Sequence, residues 1–599
     1  MMANRVGEPG ALSRPDLDGE PVLQIRDLHV RFDEGRGAHA LRGVDLDLHR
    51  GELLAVVGES GSGKSTLGLA VQQLLPTEAR PELSGSIVVN GTEVVGASKT
   101  KARHIRRDWV RAVFQDPMSS LNPTMRICKQ LEEACAGDAT ALEWLTRVGI
   151  PDPEAKVRAF PHQLSGGQRQ RVMIAMAMAA NPAVVVADEP TTALDVTVQA
   201  QVLELIRSLR DERGVAFLFV THDLAVASAI ADRLLVLYHG RIVEIGPTSD
   251  VVGSAAHPYT VALLKARFGI DVDRSKPLPT IPGDPPGASE SLHGCSFAPR
   301  CVLAEPACTE QEPPLVAVDQ HPGLAACFRS RSVSSEVWDR SSGEWSMPEA
   351  TGSAGNIVEV ENVSKSFSHS RFGNRSTQTL ALDRVSLQVQ EGESCALVGE
   401  SGSGKTTLLR LVAGLVTPDV GTVRFVVEDQ PQMVYQDAYA SLTPWLTAGD
   451  LIGERLRRQH LPRSEYKARV EAALKMVGLH ASIAEVRPPY LSGGQRQRVA
   501  LARAIVVPPR LLLCDEPISA VDVSMGAAML NLLQQLRLRL RMAVLFVTHD
   551  IAAARFIADR IVVMKAGQIV EAGDSDEVTH HPQHAYTQQL LAALPAPVG

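Results

Sequence analysis

The chain has 599 residues, 45% hydrophobic and 21% charged, with a formal net charge of −8. This length exceeds what one hydrophobic core organises and predicts several globular domains. The acidic balance excludes an overall nucleic-acid-binding surface, and no stretch approaches the roughly 18 consecutive apolar residues of a membrane-spanning helix.

Residues 1–20 open the chain with a polar, acidic segment rich in proline and glycine. The segment lacks the apolar run of a signal peptide. We therefore expect a disordered N-terminus, no secretion signal and a protein that stays in the cytoplasm.

The first motif joins an apolar strand at Leu53–Val57, a glycine-rich turn and a helix from Lys64. The pattern G-x-x-x-x-G-K-[ST] is that of a phosphate-binding loop, whose backbone N–H groups face phosphates at a helix N-terminus. We expect Lys64 to reach the β- and γ-phosphates and the Ser65 hydroxyl to bind Mg²⁺. The nucleotide-binding residues predicted in this loop are Gly58, Ser60, Gly61, Gly63, Lys64, Ser65 and Thr66.

A second apolar strand ends in the acidic pair Asp188 and Glu189. An aspartate at this place in phosphate-loop enzymes holds Mg²⁺. The adjacent Glu189 is then placed to polarise the attacking water as a general base, and we predict a catalytic role for it.

An internal repeat brings the same motifs back more than 300 residues later. GESGSGK, LSGGQRQRV, Asp-Glu-Pro and FVTHD each occur twice, and the distances from LSGGQ to Asp-Glu and from there to the histidine are identical in both copies. So long a period indicates domain duplication rather than a solenoid. The residues predicted in the second copy are Gly399, Ser401, Gly402, Gly404, Lys405, Thr406, Thr407, Asp515 and Glu516.

The combination of LSGGQ with a phosphate loop resembles the ABC ATPase family over nearly the whole chain. The resemblance implies an α/β fold with two tandem P-loop NTPase domains of ABC type. Each domain is expected to carry an antiparallel β subdomain and a helical subdomain, and a small Cys-rich module is expected between them.

In that family the two domains meet head to tail, and each ATP lies between one phosphate loop and the other domain's signature. The resemblance thus implies a pseudo-dimer within one chain and two active composite sites. One would combine Lys64, Ser65, Gln115, Asp188, Glu189 and His222 with Ser492, Gly493, Gly494 and Gln495. The other would combine Lys405, Thr406, Gln436, Asp515, Glu516 and His549 with Ser165, Gly166, Gly167 and Gln168.

Four further residues take their roles from the same resemblance. Gln115 and Gln436 match the glutamine loop that contacts Mg²⁺ and water, and His222 and His549 match the switch histidine that senses the γ-phosphate. Two aromatic residues, Phe32 and Phe367, precede the phosphate loops and are candidates for stacking on adenine, with core packing as the alternative.

Four cysteines lie between the two copies: Cys295, Cys301, Cys308 and Cys327. Their spacing lacks the close pairs of structural zinc sites, whereas a [4Fe–4S] cluster accepts dispersed cysteines. The surrounding IPGDPP, GCSFAPRC and CF elements resemble the C-terminal module of dipeptide and oligopeptide importer ATPases, which is associated with such a cluster. Zn²⁺ and free thiols remain the alternatives.

The function implied is that of an ATPase that powers the uptake of short peptides. Its expected partners are two transmembrane permease subunits and an extracytoplasmic substrate-binding protein, with no nucleic acid, and its expected location is the cytoplasmic face of the cell membrane. The alternatives are an importer for nickel or another small solute and a soluble two-domain ABC protein acting on ribosomes. The Pro/Gly/Ser-rich linker disfavours the ribosomal alternative, which has a long charged helix there.

The sequence predicts six segments with these boundaries: a disordered N-terminus at 1–20, a first ATPase domain at 21–267, a Cys-rich module at 268–329, a linker at 330–355, a second ATPase domain at 356–580 and a short tail at 581–599.

Overall fold

The computed structural model describes the chain except residues 1–18, 34–36, 136–138, 192–193, 288, 291, 319–320, 331–332, 334–344, 346–354, 370–376, 427–429, 519–520 and 595–599. Most of the predicted N-terminal segment and linker, and the end of the predicted tail, therefore lie outside the described residues.

The chain divides into two compact units. The first comprises residues 1–191, 201–260 and 284–332, and the second comprises residues 192–200, 261–283 and 333–599. The division groups the four clustered cysteines with the first copy of the repeat, while the domain boundaries expected from the sequence stay predictions.

The strands of the first copy and of the cysteine segment are short and mostly apolar. They are β1 (Leu23–Arg31), β2 (His39–Leu48), β3 (Leu53–Val57), β4 (Glu82–Val89), β5 (Thr92–Glu93), β6 (Val110–Val113), β7 (Val184–Asp188), β8 (Ala216–Val220), β9 (Arg233–Tyr238), β10 (Arg241–Pro247), β11 (Val316–Val318) and β12 (His321–Ala325).

These strands form two sheets. An antiparallel sheet has the order β2-β1-β4-β5, and a larger sheet has the order β11-β12-β10-β9-β3-β8-β7-β6. In the larger sheet β6, β7, β8, β3 and β9 run parallel. All five residues of β3 and of β8 are buried, as continuous apolar strands covered on both faces must be.

The helices of this half alternate with the strands or gather in one stretch around residues 127–179. They are α1 (Lys64–Gln72), α2 (Lys99–Asp108), α3 (Pro117–Ser120), α4 (Ile127–Ala134), α5 (Ala141–Arg147), α6 (Pro153–Lys156), α7 (Gly166–Ala179), α8 (Val196–Arg213), α9 (Leu224–Ile230), α10 (Thr248–Gly253), α11 (Pro258–Lys265) and α12 (Pro306–Glu310). Short 3₁₀ turns cover Thr77–Ala79, Pro161–Gln163 and Ala298–Arg300.

The second copy repeats this architecture, with fewer strands among its described residues. They are β13 (Asn356–His369), β14 (Thr377–Gln390), β15 (Ser394–Val398), β16 (Val420–Phe425), β17 (Gln432–Val434), β18 (Leu511–Asp515), β19 (Ala543–Val547), β20 (Arg560–Lys565) and β21 (Gln568–Asp574). An antiparallel sheet has the order β14-β13-β16, and a mixed sheet has the order β17-β18-β19-β15-β20-β21.

Nine helices belong to the described part of the second copy: α13 (Lys405–Val412), α14 (Ala438–Ser441), α15 (Ala448–Ile452), α16 (Arg463–Met476), α17 (Gly493–Ile505), α18 (Val523–Leu540), α19 (Ile551–Ile557), α20 (Ser575–His580) and α21 (Ala585–Ala592). Further 3₁₀ turns cover Gly453–Gln459, Ala481–Glu485 and Pro488–Tyr490.

Both copies thus contain the expected parts: a parallel core sheet, an antiparallel sheet formed largely by the strands that precede the phosphate loop, and a group of helices that includes the one opened by LSGGQ. The predicted α/β fold with two tandem phosphate-loop domains is confirmed. Within the part of the chain that is described, no helix combines the length and the apolar character needed to cross a membrane.

Candidate functional site

In the first copy, the predicted site residues follow the carboxyl ends of parallel strands. The phosphate loop begins after β3, Gln115 lies two residues beyond β6, Asp188 ends β7, and His222 follows β8. Parallel strands of an open α/β sheet bring such ends to one edge, where ligands bind. The fold therefore collects motifs that are far apart in the sequence.

The phosphate loop of the first copy depends on glycine at close approaches. Gly58 lies beside β9, and a Cβ there would stand 2.2 Å from the carbonyl oxygen of Leu237. Gly63, with φ of 106°, caps α1, and its Cβ would stand 2.5 Å from the Ala40 carbonyl oxygen. The amine of Lys64 donates to the carbonyl oxygens of Gly58 and Glu59 at 2.7 and 2.8 Å, which holds it against the loop.

A hydroxyl and a carboxylate meet beside this loop. The Ser65 Oγ donates to Oδ1 of Asp188 at 3.2 Å. Burial, together with the neighbouring charge of Glu189, raises the pKa of Asp188 above its ordinary value, although the Ser65 hydrogen bond opposes the shift. A bound cation would reverse this shift, because hard cations favour ionised oxygen ligands.

The carboxylate of Glu189 stands between a glutamine and a histidine. Nε2 of Gln115 donates to its Oε2 at 2.8 Å, and Nδ1 of His222 lies 3.0 Å from its Oε1. The backbone φ of Glu189 is 46°, a conformation that costs free energy in residues other than glycine. A carboxylate oriented in this way can accept a proton from a water molecule or fix its position.

The second copy reproduces every one of these contacts. Lys405 Nζ donates to the carbonyl oxygens of Gly399 and Glu400 at 2.7 and 2.8 Å. Thr406 Oγ1 donates to Asp515 Oδ1 at 3.1 Å. Two further contacts reach Glu516, whose φ is 45°: Gln436 Nε2 donates to it at 3.2 Å and His549 Nδ1 lies 3.2 Å away.

The electrostatics of the second copy favour an ion pair between Glu516 and His549. Burial opposes the charged form of both groups. Burial is the largest single effect, but the hydrogen bond and the Coulombic attraction between the two groups together outweigh it, so that the pKa of Glu516 is lowered and the pKa of His549 is raised. Burial also raises the pKa of Asp515 and lowers that of Lys405.

The LSGGQ residues form the N-terminal caps of α7 and α17. The Ser165 Oγ accepts from Gln168 N at 3.3 Å while Gln168 Oε1 accepts from Ser165 N at 3.1 Å, which is a capping box. Ser492 and Gln495 make the same pair of hydrogen bonds. Both serines are exposed, each followed by the glycines Gly166 and Gly167 or Gly493 and Gly494.

The two aromatic candidates differ in their surroundings. Phe32 is partly buried against the core of the first copy. Phe367 is 39% exposed, and the Lys365 amine lies 5.8 Å from its ring centroid. Stacking on adenine stays a prediction for both.

Two tyrosines hydrogen-bond to the phosphate loops, and the sequence analysis did not predict this role. The Tyr259 hydroxyl accepts from Glu59 N at 2.8 Å, and the Tyr586 hydroxyl accepts from Glu400 N at 2.9 Å. The available signal was the tyrosine shared by the repeated HPYT and HAYT segments. Its role could not be read from the sequence, because it lies about 200 residues from its partner.

The four clustered cysteines line one cavity together with Phe297, Leu303 and Phe328. Burial raises the pKa of Cys295, and it raises that of Cys301 to about 11 and that of Cys327 to about 12. Such thiols stay protonated until a cation displaces the protons. Among the described residues, no group of three or more His, Cys, Asp and Glu side chains is close enough to hold a metal ion.

The sequence matches two families. The family described as "ABC transporter" matches residues 41–192 and 382–519, which contain both phosphate loops and both LSGGQ segments. The family described as "Oligopeptide/dipeptide transporter, C-terminal region" matches residues 243–308 and 570–599.

The chain is similar to two groups of transporter ATP-binding proteins over 90% or more of their length. It is 40% identical to "Oligopeptide transport ATP-binding protein OppD" of Mycobacterium tuberculosis, over 96% of this chain and 99% of that protein. It is 37% identical to "Glutathione import ATP-binding protein GsiA" of Escherichia coli strain K12, over 97% of this chain and 90% of that protein. The solved structure "RNase-L Inhibitor" shares the fold alone, with a TM-score of 0.53, 19% identity and coverage of 92% of this chain and 90% of that one.

Proposed function

The chain belongs to the ATP-binding proteins of ABC transporters, and we propose that it hydrolyses ATP to power the uptake of short peptides. One observation carries the peptide assignment. Residues 243–308, which follow the first ATPase core, match the C-terminal region of oligopeptide and dipeptide transporters. The names of the two relatives give their functions as oligopeptide transport and glutathione import, and both concern short peptides.

Hydrolysis in each copy is assigned to the glutamate that follows the Asp at the strand end. Glu189 is held by Gln115 and His222, and its carboxylate would orient the attacking water and take up its proton. The His222 imidazole, on the other side of that carboxylate, would report the presence of the γ-phosphate. Glu516 and His549 have the same roles in the second copy.

Nucleotide binding is assigned to the phosphate loops. The backbone N–H groups of Gly58–Thr66 would receive the phosphates, and the Lys64 amine would leave its two carbonyl partners to bind the β- and γ-phosphates. We further propose that each loop is completed in the ATP-bound state by the LSGGQ serine and glycines of the other copy, whose exposed caps carry donors for a γ-phosphate.

Mg²⁺ fits the oxygen ligands beside each loop. Ser65 and Asp188, or Thr406 and Asp515, supply a hydroxyl and a carboxylate in mutual contact. Mg²⁺ binds through one or two such protein ligands plus phosphates and water, where it neutralises charge that develops on the phosphates. Gln115 and Gln436 are proposed to contact the same ion.

A [4Fe–4S] cluster is proposed for the cysteine cavity, with Zn²⁺ as the alternative. Four thiols and two phenylalanines line this one cavity. Zinc needs its thiolates within about 2.3 Å of one centre, whereas a cluster binds each thiolate through a different iron. A bound cluster would cross-link the segment from Cys295 to Cys327 through its four cysteines.

The proposed assembly places this chain on the cytoplasmic face of the membrane, with two permease subunits and an extracytoplasmic substrate-binding protein. The experiment reconstitutes the chain with its permease subunits in liposomes that contain ATP and the substrate-binding protein, and measures uptake of labelled peptides of two to five residues. We expect uptake that requires ATP. Uptake of nickel without peptide uptake would contradict the substrate, and a chain that neither binds nor hydrolyses ATP would contradict the whole proposal.

A further inference from the structure

The cysteine segment is joined to the first phosphate loop by a buried ion pair. Nη1 and Nη2 of Arg300 donate to Oε2 and Oε1 of Glu59 at 2.6 and 3.1 Å. Glu59 is the second residue of the GESGSGK loop, and Arg300 stands directly before Cys301. Their residues are only 4% and 7% exposed. Two parallel hydrogen bonds from one guanidinium to one carboxylate add both energy and geometric specificity to an ion pair.

Other residues of the first unit contact both members of this ion pair. Nη1 of Arg300 also donates to the Tyr238 hydroxyl at 3.3 Å, and the rings of Tyr238 and Tyr259 each lie 5.3 Å from that of Phe297. The Glu59 backbone donates to Tyr259 and accepts from Lys64. The path from the cysteine cavity to the phosphate-binding lysine therefore consists of direct contacts.

The second copy lacks the partners for such a segment. Where the first copy has Tyr238 and His239 before the β9–β10 turn, the second has Lys565 and Ala566, and Asp383 stands in place of Arg42. Lys565 instead places its amine 4.5 Å from the ring centroid of Tyr586. Glu400, which occupies the position of Glu59 in the second phosphate loop, is partly exposed, whereas Glu59 is buried.

The cysteine segment contacts the first copy through residues that differ between the two copies. The Arg42 guanidinium donates to Ser296 Oγ at 3.2 Å, and Nδ1 of His239 lies 3.3 Å from the same oxygen. Nε2 of His239 lies 3.2 Å from the Gly287 carbonyl oxygen. Ser296 and Gly287 of this segment thus contact two side chains, those of Arg42 and His239, that the second copy replaces with Asp383 and Ala566.

We propose that Arg300 is a positioning residue for ATP binding at the first phosphate loop alone, and that the cysteine segment supports this site through it. The inference rests on the proposed ATPase function. Removing Arg300 takes away both hydrogen bonds that its guanidinium makes to the buried Glu59 carboxylate, and breaking one side of a buried ion pair is costly. We expect the loop to shift so that water reaches this carboxylate. The amides and the Lys64 amine that receive phosphate would move with the loop, while the second loop would not respond.

The experiment measures binding of the ATP analogue AMP-PNP with Mg²⁺ to the full chain by calorimetry, in two backgrounds. Lys405→Ala leaves the first loop intact, and Lys64→Ala leaves the second. Arg300→Met should raise Kd at least about tenfold in the Lys405→Ala background and leave it unchanged in the other. The matched control is Arg241→Met, because Arg241 pairs with Glu312 of the same segment at 2.6 Å but does not contact the loop.

A second variant separates positioning from general loss of structure. In Glu59→Gln/Arg300→Met neither charge is buried alone, so most of the affinity at the first loop should return. If Arg300→Met does not fold, Arg300→Lys keeps the charge without the fork and should weaken the first loop by an intermediate factor.

Three results would overturn the inference: equal losses at both loops, no loss at either, or no recovery in the double variant. Absence of AMP-PNP binding in both backgrounds, with Arg300 intact, would instead contradict the proposed ATPase function.

Discussion

Nδ1 of His222 lies 3.0 Å from Oε1 of Glu189, 33 residues earlier in the chain. The same relationship recurs between His549 and Glu516 at 3.2 Å. Each glutamate also has a positive φ, a backbone conformation that costs free energy in residues other than glycine. Strain of this kind is retained where the orientation of the side chain matters.

Glu189→Gln and Glu516→Gln should each retain ATP binding and lose hydrolysis at their own site. A neutral amide keeps the shape of the side chain but cannot take up a proton, so the rate at that site should fall by about 10²–10⁴. Single-turnover hydrolysis of radiolabelled ATP measures this loss. The control is Glu204→Gln, whose carboxylate is 73% exposed on α8; unchanged turnover in both site variants would remove the glutamates from catalysis.

The ion pair of the second copy predicts a pH-dependent stability. The raised pKa of His549 means that its contribution is complete below its ordinary pKa of 6.5 and is lost as the pH rises through the raised value. The lowered pKa of Glu516 means that its contribution is present above the ordinary value of 4.5 and is lost as the pH falls through the lowered value. The pair should therefore stabilise most between these limits.

Thermal unfolding of the wild type and His549→Gln over a range of pH measures this effect. The difference in Tm should be largest near pH 5.5–6 and should shrink towards pH 9, because the imidazolium loses its proton. The control compares the double variant Glu516→Gln/His549→Gln with the single variant Glu516→Gln. The difference in Tm between these two should not shrink with rising pH, because neither protein contains the ion pair. A difference that grew with pH would exclude the ion pair.

Two glycines of the first phosphate loop should differ in their tolerance of alanine. Gly58→Ala places a Cβ 2.2 Å from a backbone oxygen of β9, whereas a Cβ at Gly61 meets nothing within 4 Å. Gly61→Ala should lower the free energy of unfolding by only about 1–2 kcal/mol, because alanine is strained at a positive φ. Gly58→Ala should lower it by about 1–3 kcal/mol more, because the added Cβ overpacks against β9.

Hydrogen–deuterium exchange measures this difference as the protection of backbone amides in residues 53–72, because it reports the free energy of opening for each segment. We expect lower protection in Gly58→Ala than in Gly61→Ala. Peptides from the second copy provide the internal reference. Equal protection in the two variants would contradict the close approach of Gly58 to β9.

Purified chain should contain roughly four iron atoms and show the broad visible absorption of a [4Fe–4S] cluster. Replacing Cys301 or Cys327 by serine should abolish both signals, because each thiolate binds its own iron. Cys128→Ser, which changes a cysteine that does not line the cavity, should leave them unchanged. Anaerobic protein with stoichiometric zinc would favour the alternative metal.

The local structure of both copies follows from short stretches of sequence. The apolar run Leu53–Val57 is a buried strand, Lys64 begins a helix, and Ser165 caps the helix that carries LSGGQ. These features were predictable because a glycine turn, a helix cap and a parallel-sheet strand are determined by neighbouring residues.

The meeting of the motifs needed the repeat and the family resemblance as well. Gln115, Glu189 and His222 lie on loops after three different strands, and the sequence alone gives no strand order. Their convergence was inferred from the family resemblance, and the equal spacing of the two copies supported it only for the glutamate and the histidine. The fold accounts for the convergence through parallel strands that end at one edge.

Local patterns in the sequence are enough to specify the duplicated ABC-type architecture and the residue types of both phosphate loops, because glycine loops, capping serines and apolar strands act over short distances. The support of a phosphate loop by Tyr259, and the pairing of Arg300 in the cysteine segment with Glu59, are visible only in the folded chain. These partners lie about 200 residues or more apart. A buried ion pair depends on which surfaces the folded chain brings together, and no local pattern encodes that.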